Sequence, residues 1–277
     1  MDIYGIIGWP VKHSLSPAMH NAAFKELGID AEYRKFEVKP EDLKDFLLNR
    51  KDVKGFNVTV PHKVRAKEIL KDKAEVSDCA ELCGAINTVK REKGKIKYTN
   101  TDVPGFLTSL KKDLGFEHKD KSVILVGCGG AGRAIIAGLI TECSKIYVYD
   151  NSESAMKATE DAFSKIKDKL QSISKEKMPT IIKNCRLLVN ATPIGMKEGD
   201  GSPVDKGLLH KDLSVYDVVY NRETGLVKDA RSLGLPATGG LGMLLYQGAH
   251  AFEFWTGKQA PVEAMRKALL KVVSHKL

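Results

Sequence analysis

The chain has 277 residues, of which 43% are hydrophobic and 29% are charged, which excludes a disordered or fibrous chain and leaves room for two domains. Its 44 Lys and Arg residues outnumber its 35 Asp and Glu residues, for a net charge of +9. Acidic and basic residues are interspersed, however, which argues against a nucleic-acid-binding stripe. The apolar runs are far shorter than the ~18–20 residues that cross a bilayer, and the N-terminus lacks a secretion signal. We therefore expect a folded cytoplasmic protein without membrane or nucleic-acid partners.

The cysteines and histidines give no sign of a metal site or of disulfides. The five cysteines are odd in number and form no C-x-x-C pair, so neither a disulfide framework nor a zinc site is predicted. The seven histidines are scattered and show no H-E-x-x-H spacing, and each is better explained as a surface or structural residue than as a metal ligand. The sequence predicts reduced, structural thiols and no metal.

Short apolar runs alternate with helical periods from the first residues onward, the pattern of an α/β protein with a mostly parallel sheet. In the N-terminal part, the patterns predict strands over residues 3–8, 33–38 and 56–60 and helices over residues 16–28 and 40–49. The first helix is predicted to begin with Ser16 as its N-cap and Pro17 at the first helical position.

A second α/β run begins near residue 122. The patterns predict strands over residues 122–126, 146–149, 187–191 and 215–219, and helices from the glycine cluster to 141 and over 152–170, 241–255 and 261–273. Because the chain has neither an internal repeat nor a low-complexity linker, the domain boundaries rest on motif placement. They are predicted near residues 103 and 240.

A glycine-rich loop, GCGGAG at residues 127–132, follows the predicted strand 122–126 and opens a helix. It satisfies G-x-G-x-x-G in the context that dinucleotide binding requires. The first glycine permits a tight turn, the second lets the backbone approach a pyrophosphate, and the third lets helix and strand pack closely, while N–H groups at the helix N-terminus face the anion. The loop predicts a Rossmann-type dinucleotide-binding domain, and an ordinary glycine-rich turn is the alternative.

Asp150 ends the next predicted strand, about 20 residues downstream, where a carboxylate can accept hydrogen bonds from the adenosine ribose hydroxyls. A 2′-phosphate at that position would be repelled, and the first cation after the strand is Lys157. The sequence therefore predicts a preference for NAD over NADP. The alternative is that Asp150 caps the following helix, although Ser152 can perform that capping instead.

Three polar clusters precede the glycine loop, and each has a simple explanation as a helix cap, a strand end or a turn. Together they supply hydroxyls, amides, an amine and a carboxylate, and open α/β sheets gather ligand groups at the ends of their strands. The clusters are KHSLSP (12–17), NVTVPHK (57–63), and GAINT (84–88) with NTD (100–102).

These clusters and the glycine loop, followed by NATPIGM (190–196) and GLGMLLYQ (240–247), match in order the sequence blocks of the shikimate dehydrogenases. The chain resembles that family from about Tyr4 to Trp255. The resemblance implies an α/β enzyme with a substrate-binding and catalytic domain (residues 1–103 and 241–277), a Rossmann domain (residues 104–240) and an active site in the cleft between them. It also implies NAD(P)-dependent hydride transfer between 3-dehydroshikimate and shikimate, a step of aromatic amino-acid (chorismate) biosynthesis.

The resemblance assigns roles to individual residues. Lys63 and Asp102 are the implied catalytic pair. The implied substrate ligands are Ser14, Ser16, Thr59, Asn87, Tyr220 and Gln247. Asp150, which follows the second Rossmann strand, is added to the residues that the resemblance implies for the cofactor site. The expected cofactor site therefore comprises Gly127, Cys128, Gly129, Gly130, Ala131, Gly132, Asp150, Asp78, Thr192, Val218 and Gly240.

Several alternatives stay open at this point. The family's commoner members use NADP and carry Asn-Arg-Thr where this chain has Asp150-Asn151-Ser152, so NADP is retained as the second cofactor. NAD-using relatives often accept quinate, which keeps a catabolic quinate/shikimate dehydrogenase as the second candidate. A non-catalytic dinucleotide-binding sensor is expected to lose Lys63 or Asp102, and this chain has both. A simple Lys63–Asp102 ion pair and a homodimer are also open.

Overall fold

The computed structural model describes residues 1–274. They form two compact units, one of Met1–Gly105 with the chain from Leu244 onward, and one of Phe106–Met243. Both boundaries fall inside helices, a few residues beyond positions 103 and 240, where the sequence gives no break in helical periodicity. In residues 1–274, no helix combines the length and the apolar character that spanning a membrane requires.

Strands and helices alternate along most of the chain. The strands are β1 (Asp2–Gly8), β2 (Ala31–Glu37), β3 (Val53–Val58), β4 (Glu75–Val76), β5 (Thr88–Glu92), β6 (Lys95–Thr99), β7 (Ser122–Val126), β8 (Lys145–Tyr149), β9 (Leu170–Ser172), β10 (Leu187–Asn190), β11 (Ser214–Asp217) and β12 (Ala237–Thr238). The α-helices are α1 (Ser16–Glu26), α2 (Leu43–Asn49), α3 (Lys63–Leu70), α4 (Asp78–Cys83), α5 (Asp102–Leu114), α6 (Gly130–Leu139), α7 (Glu153–Ala162), α8 (Met178–Ile181), α9 (Gly225–Ser232), α10 (Leu241–Thr256) and α11 (Val262–Ser274). Short 3₁₀ helices span Pro40–Asp42, Ser164–Lys169, Lys175–Lys177, Ile182–Asn184 and Lys206–Leu208.

The sheet of the first unit has the strand order β2-β1-β3-β5-β6-β4. β1 pairs in parallel with β2 and β3, whereas β5 pairs antiparallel with both β3 and β6. Consequently, the C-terminal ends of β1, β3 and β6 and the N-terminal end of β5 lie at the same end of the sheet. The loops that carry the three polar clusters of the sequence therefore converge there.

The β5–β6 hairpin has no counterpart among the strands predicted from the sequence. Its two strands, TVKRE and KIKYT, are rich in charged residues, and Val89 and Tyr98 are their only buried apolar side chains. The turn between them places Lys93 and Gly94 at positive φ. Because apolar residues are so few in these strands, the apolar signal is weaker than that of the buried parallel strands.

The sheet of the second unit is wholly parallel, with the order β12-β11-β10-β7-β8-β9. Numbered from β7 and read in the opposite direction, this is the 3-2-1-4-5-6 order of the doubly wound dinucleotide-binding fold. The sheet reverses its strand order between β7 and β10, and the glycine-rich loop follows β7. The α/β architecture and the Rossmann topology that the sequence indicated are therefore confirmed.

Three local predictions are wrong. Leu15, not Ser16, occupies the N-cap position of α1, and Ser16 is already helical. The strand predicted over residues 56–60 ends at Val58. Val60 was expected to be the next buried residue of the alternating pattern, but its side chain is 70% exposed. The helix predicted over 152–170 stops at Ala162, because the buried Phe163 leaves helical geometry; a 3₁₀ segment and the edge strand β9 follow.

Candidate active site

Lys63 and Asp102 form an ion pair inside the first unit. Lys63 is the first residue of α3 and Asp102 the first residue of α5. The Lys63 Nζ lies 2.5 Å from Asp102 Oδ2, and the two side chains are only 16% and 7% exposed. An ammonium at a helix N-terminus faces the positive end of the helix dipole, whereas a carboxylate there is stabilised by it. The carboxylate of Asp102 therefore offsets an otherwise unfavourable position for the lysine.

Asn87 holds the other oxygen of Asp102. Its Nδ2 donates to Asp102 Oδ1 over 2.8 Å and to Thr101 Oγ1 over 3.0 Å, and it lies 3.4 Å from Gln247 Oε1. Its Oδ1 accepts from the backbone N–H of Thr101 over 2.7 Å. Asn87, Thr101 and Asp102 are all nearly excluded from solvent. The carboxylate that faces Lys63 is thus fixed in orientation by an amide that is itself fixed by the β6–α5 loop.

The remaining predicted substrate residues of the first unit lie on the same converging loops or on α10. The Ser14 Oγ accepts from the backbone N–H of Ser16 over 3.2 Å, and Ser16 is buried while Thr59 is half-buried. The Gln247 side chain donates to the backbone carbonyl of Leu244 over 2.8 Å. Tyr220, the sixth predicted substrate residue, belongs to the second unit, and burial raises the pKa of its phenol.

Asn57 connects this group to the core, a role that its place in the sequence cluster did not reveal. Its Oδ1 accepts from the Tyr33 hydroxyl over 2.6 Å, and its Nδ2 donates to the Asn87 carbonyl over 3.1 Å and to Thr88 Oγ1 over 3.0 Å. The only sequence signal was an amide at a strand end between buried apolar residues. Such a residue needs buried hydrogen-bond partners, but the sequence does not say which.

His20 lies beside this network and is completely buried. Its ring stacks on that of Tyr33, with 4.3 Å between the ring centroids, and neither ring nitrogen has a hydrogen-bond partner among the described residues. Burial lowers the pKa of His20 from 6.5 to about 3. The imidazole is therefore neutral at physiological pH, and the histidine serves the core and not proton transfer.

We expect the buried His20 to make the folded protein acid-sensitive. Between pH 6.5 and about 3, the unfolded chain binds a proton at His20 that the folded chain does not, so stability is lost as pH falls through that window. Linkage gives a loss of about 2 kcal/mol from this group between pH 7 and pH 5. Urea unfolding at both pH values should show that His20→Phe loses about 2 kcal/mol less than the unmodified protein. The exposed His13, changed to Gln, is the control, and an unchanged pH dependence in His20→Phe would contradict this account.

The glycine-rich loop of the second unit has the geometry that a bound pyrophosphate needs. Gly127 has φ of +106°, and a Cβ there would lie 2.8 Å from the Ala191 carbonyl. A Cβ on Gly132 would lie 2.1 Å from the carbonyl oxygen of Gly127, so α6 and β7 can approach only with glycine there. Beside Gly129, by contrast, a Cβ would meet nothing within 4 Å. Gly129 is also the N-cap of α6, which has no side-chain cap, so its N–H groups are available to an anion.

Asp150 closes the loop from the end of β8. Its Oδ2 accepts from the backbone N–H of Cys128 over 2.8 Å and its Oδ1 from that of Ser152 over 2.9 Å. Ser152 caps α7 through its hydroxyl, so Asp150 is not the side-chain cap of that helix. In the described part of the chain, no Lys or Arg lies within ion-pair distance of Asp150. Burial, with the Asp150 charge nearby, raises the pKa of the Cys128 thiol to about 12.

Most other predicted cofactor residues belong to the same unit as the glycine loop. Thr192 follows β10, and Val218 follows β11. The backbone N–H of Gly240 donates to the Val219 carbonyl over 3.0 Å. Asp78 is the exception, since it begins α4 in the first unit and is exposed.

A doubly wound domain with this loop, together with a unit that holds a buried lysine–carboxylate pair, is typical of NAD(P)-dependent oxidoreductases that act on a CH–OH group. The family models agree: residues 6–89 match the shikimate dehydrogenase substrate binding domain, and residues 240–270 match the shikimate 5′-dehydrogenase C-terminal domain. The chain belongs to the shikimate dehydrogenase family.

Individual relatives cover nearly the whole chain. A shikimate dehydrogenase (NADP⁺) from Methanopyrus kandleri is 42% identical over 98% of this chain and 95% of the relative. The crystal structure of the Thermus thermophilus shikimate 5-dehydrogenase with NADP(H) and shikimate has a TM-score of 0.85 at 34% identity, covering 98% of this chain and 99% of that one. The quinate dehydrogenase of Corynebacterium glutamicum in complex with NAD has a TM-score of 0.88 at 32% identity, covering 98% and 99%.

Proposed function

We propose that this chain interconverts 3-dehydroshikimate and shikimate with a nicotinamide dinucleotide, in the biosynthesis of aromatic amino acids. The observation that carries the proposal is the buried Lys63–Asp102 pair, with Asn87 fixing the carboxylate, at the end of the sheet where the polar clusters converge. The name of the Methanopyrus kandleri relative and the shikimate bound in the Thermus thermophilus structure support the choice of substrate.

Lys63 is the proposed proton-transfer group. Removing a hydride from a secondary alcohol requires the hydroxyl proton to leave, and the reverse reaction requires it to return, so a proton carrier must lie within ~2.6–3.2 Å of that oxygen. The Lys63 amine accepts the proton during oxidation, and its ammonium returns it to the alkoxide oxygen during reduction. Asp102 positions the amine through Oδ2, and Asn87 prevents that carboxylate from rotating.

The substrate ligands are proposed from the family resemblance and from their placement. Ser14 and Ser16 receive the carboxylate of shikimate, and the other polar residues receive its ring hydroxyls. Tyr220 acts as a donor, because a phenol with a raised pKa stays protonated at neutral pH. The proposed ring-hydroxyl ligands are Thr59, Asn87, Tyr220 and Gln247.

The second unit is the proposed dinucleotide-binding domain. A bound dinucleotide supplies the hydride acceptor for oxidation and the hydride donor for reduction. The N-terminus of α6 and the open space beside Gly129 receive the pyrophosphate. Thr192, Val218 and Gly240 border the rest of the cofactor, together with Asp78.

We further propose NAD as the preferred cofactor, although the names of the curated relatives favour NADP. Asp150 retains lone pairs for the ribose hydroxyls after accepting from Cys128 and Ser152. A 2′-phosphate beside it would meet a carboxylate that has no ion-pair partner among the described residues, and the exposed Asn151 stands where NADP-using members carry arginine. The quinate dehydrogenase in complex with NAD is a protein of similar fold that binds this dinucleotide, which supports the choice.

The proposed function is tested by steady-state kinetics with both acids and both dinucleotides. We expect the highest kcat/KM with shikimate and NAD, and a several-fold lower value when NADP replaces NAD. Quinate carries an additional hydroxyl, and burying it unpaired costs ~1–3 kcal/mol, so quinate should also be the poorer substrate. The absorbance of the reduced nicotinamide reports all four combinations.

Two substitutions sharpen this experiment. Asn151→Arg should raise kcat/KM with NADP, whereas Asn151→Gln, which lengthens the side chain without charge, should not. Ser16→Thr should shift the ratio of the two acids towards quinate, because quinate-active relatives tend to have threonine there. A several-fold preference of the unmodified enzyme for NADP would contradict the NAD proposal. Equal or better use of quinate would favour the quinate/shikimate dehydrogenase, and dinucleotide binding without turnover would indicate the non-catalytic sensor.

The cytoplasmic location, the homodimer, the absence of a metal requirement and an active site between the units stay predictions. The four cysteines whose side chains the structure describes are free thiols, which accords with a reducing compartment. They are Cys83, Cys128, Cys143 and Cys185.

A further inference from the structure

A buried carboxylate in the second unit takes no part in the chemistry described so far. Asp217, the last residue of β11, is completely excluded from solvent, and no Lys or Arg in residues 1–274 lies within ion-pair distance of it. A buried charge without a cation needs hydrogen-bond donors in its place. Asp217 has them, and they come from three separate segments of the chain.

The donors around Asp217 connect the last residue of β10, the turn after β11 and the start of α9. Asn190 Nδ2 donates to Oδ1 over 2.9 Å and the backbone N–H of Val219 to the same oxygen over 3.0 Å. The Thr224 hydroxyl, which is also the N-cap of α9, donates to Oδ2 over 2.7 Å. Burial raises the pKa of Asp217, and these three donors oppose that rise.

Asn190 transmits this arrangement to Thr192. Because its Nδ2 faces Asp217, its Oδ1 faces the other way and accepts from both the N–H and the hydroxyl of Thr192, over 3.0 and 2.7 Å. The Thr192 hydroxyl in turn accepts from the N–H of Ile194 over 3.1 Å. On the other side, Asp217 fixes the turn that contains Val218. Thr192 and Val218 are two of the residues proposed to border the dinucleotide.

We infer that Asp217 is a positioning residue for dinucleotide binding. It fixes the loop of Thr192 through Asn190 and the turn of Val218 through the backbone N–H of Val219. The inference rests on the proposed function for the identity of the ligand. Asp217 itself is too deeply buried to touch a ligand, so its effect reaches the dinucleotide only through Asn190 and the turn. The same anchor also sets the start of the segment that leads to Tyr220.

Equilibrium binding of NADH and NADPH, followed by nicotinamide fluorescence, tests the inference without turnover. We expect Asp217→Ala to raise the Kd at least ~10-fold, because three donors lose their acceptor. Asp217→Asn should stay within ~3-fold of the unmodified protein, because its oxygen still accepts from Asn190 and Val219 and the Thr224 hydroxyl can accept from the new amide. The matched control is Tyr216→Phe, which removes a buried hydrogen bond to Ser109 from the neighbouring residue of the same strand.

A second pair of variants applies if Asp217→Ala does not fold. Thr224→Ala removes one donor and should raise the Kd for the dinucleotide. Thr224→Ser keeps the hydroxyl, so its Kd should be close to that of the unmodified protein. Amide hydrogen exchange on the ligand-free protein gives an independent readout, since Asp217→Ala or Thr224→Ala should speed exchange at Thr192 and Ile194, and Tyr216→Phe should not.

Contradiction of the inference and failure of the proposed function are distinguishable. A Kd in Asp217→Ala no higher than in Tyr216→Phe, or an equal loss in Asp217→Asn, would contradict the inference. Unchanged exchange at Thr192 would contradict it as well. If the unmodified protein bound neither dinucleotide, the proposed function would fail, and the exchange rates alone would decide whether Asp217 anchors the loops.

Discussion

Replacing Lys63 by alanine should lower kcat by ~10²–10⁴, the usual contribution of a general acid or base, while the KM for shikimate changes much less. The Lys63 amine is the group proposed to exchange a proton with the reacting hydroxyl, so its loss affects the transition state more than the bound substrate. Steady-state kinetics in both directions, with the dinucleotide saturating, measure the two constants separately.

Lys67→Ala is the matched control for this experiment. Lys67 lies on the same helix, its side chain has the same 16% exposure, and it also pairs with a carboxylate, that of Glu81. Its removal should leave kcat essentially unchanged. A near-normal kcat in Lys63→Ala would show that the Lys63–Asp102 pair is a structural ion pair, the alternative that the sequence left open.

Asp102→Asn should lower kcat by ~10²–10³ and weaken shikimate binding as well. Asp102 accepts from Lys63 on one oxygen and from Asn87 on the other. A carboxamide has only one acceptor oxygen, so its NH₂ group must face either the ammonium of Lys63 or the amide of Asn87, and both are donors. The Lys63 amine is then no longer held in position, because its partner is a neutral carboxamide in place of a carboxylate.

The double variant Lys63→Ala with Asp102→Asn separates a shared role from two independent ones. If Asp102 acts mainly by positioning Lys63, the double variant should be about as slow as the slower single variant, because residues that act as a unit are strongly non-additive. Losses in kcat that multiply would contradict the positioning role and would indicate that Asp102 contributes to the reaction on its own.

The buried parallel strands of the fold were the most predictable part. β7, with the run VILV, was predicted at its observed residues, because a strand buried on both faces is a continuous apolar run. The β5–β6 hairpin and β9 were missed, since the many charged residues of the hairpin and the edge position of β9 both weaken that signal. The start of α1 was misplaced by one residue, because Ser followed by Pro is the usual pattern of an N-cap and a first helical residue, whereas here Ser16 and Pro17 are the first and second helical residues.

The candidate site was predictable as a set of residues but not as a geometry. Lys63 and Asp102 begin two different helices and Asn87 precedes β5, and their contact depends on β5 being antiparallel to β3 and β6, a pairing that no local pattern reveals. The family resemblance selected the residues, and the sheet explains why they meet. Two buried hydrogen-bond acceptors, Asn57 in the first unit and Asp217 in the second, were not singled out, since a polar residue at a strand end indicates nothing about its partners.

The most direct test of the account is the fate of the hydrogen on the carbinol carbon of shikimate. The purified protein would oxidise shikimate deuterated at that carbon, and mass spectrometry of the reduced dinucleotide would locate the label. Direct hydride transfer, with the hydroxyl proton leaving separately through Lys63, predicts one deuterium on each reduced nicotinamide and none released to water. Turnover that releases the deuterium into solvent, or no turnover by a protein that binds both ligands, would contradict the account.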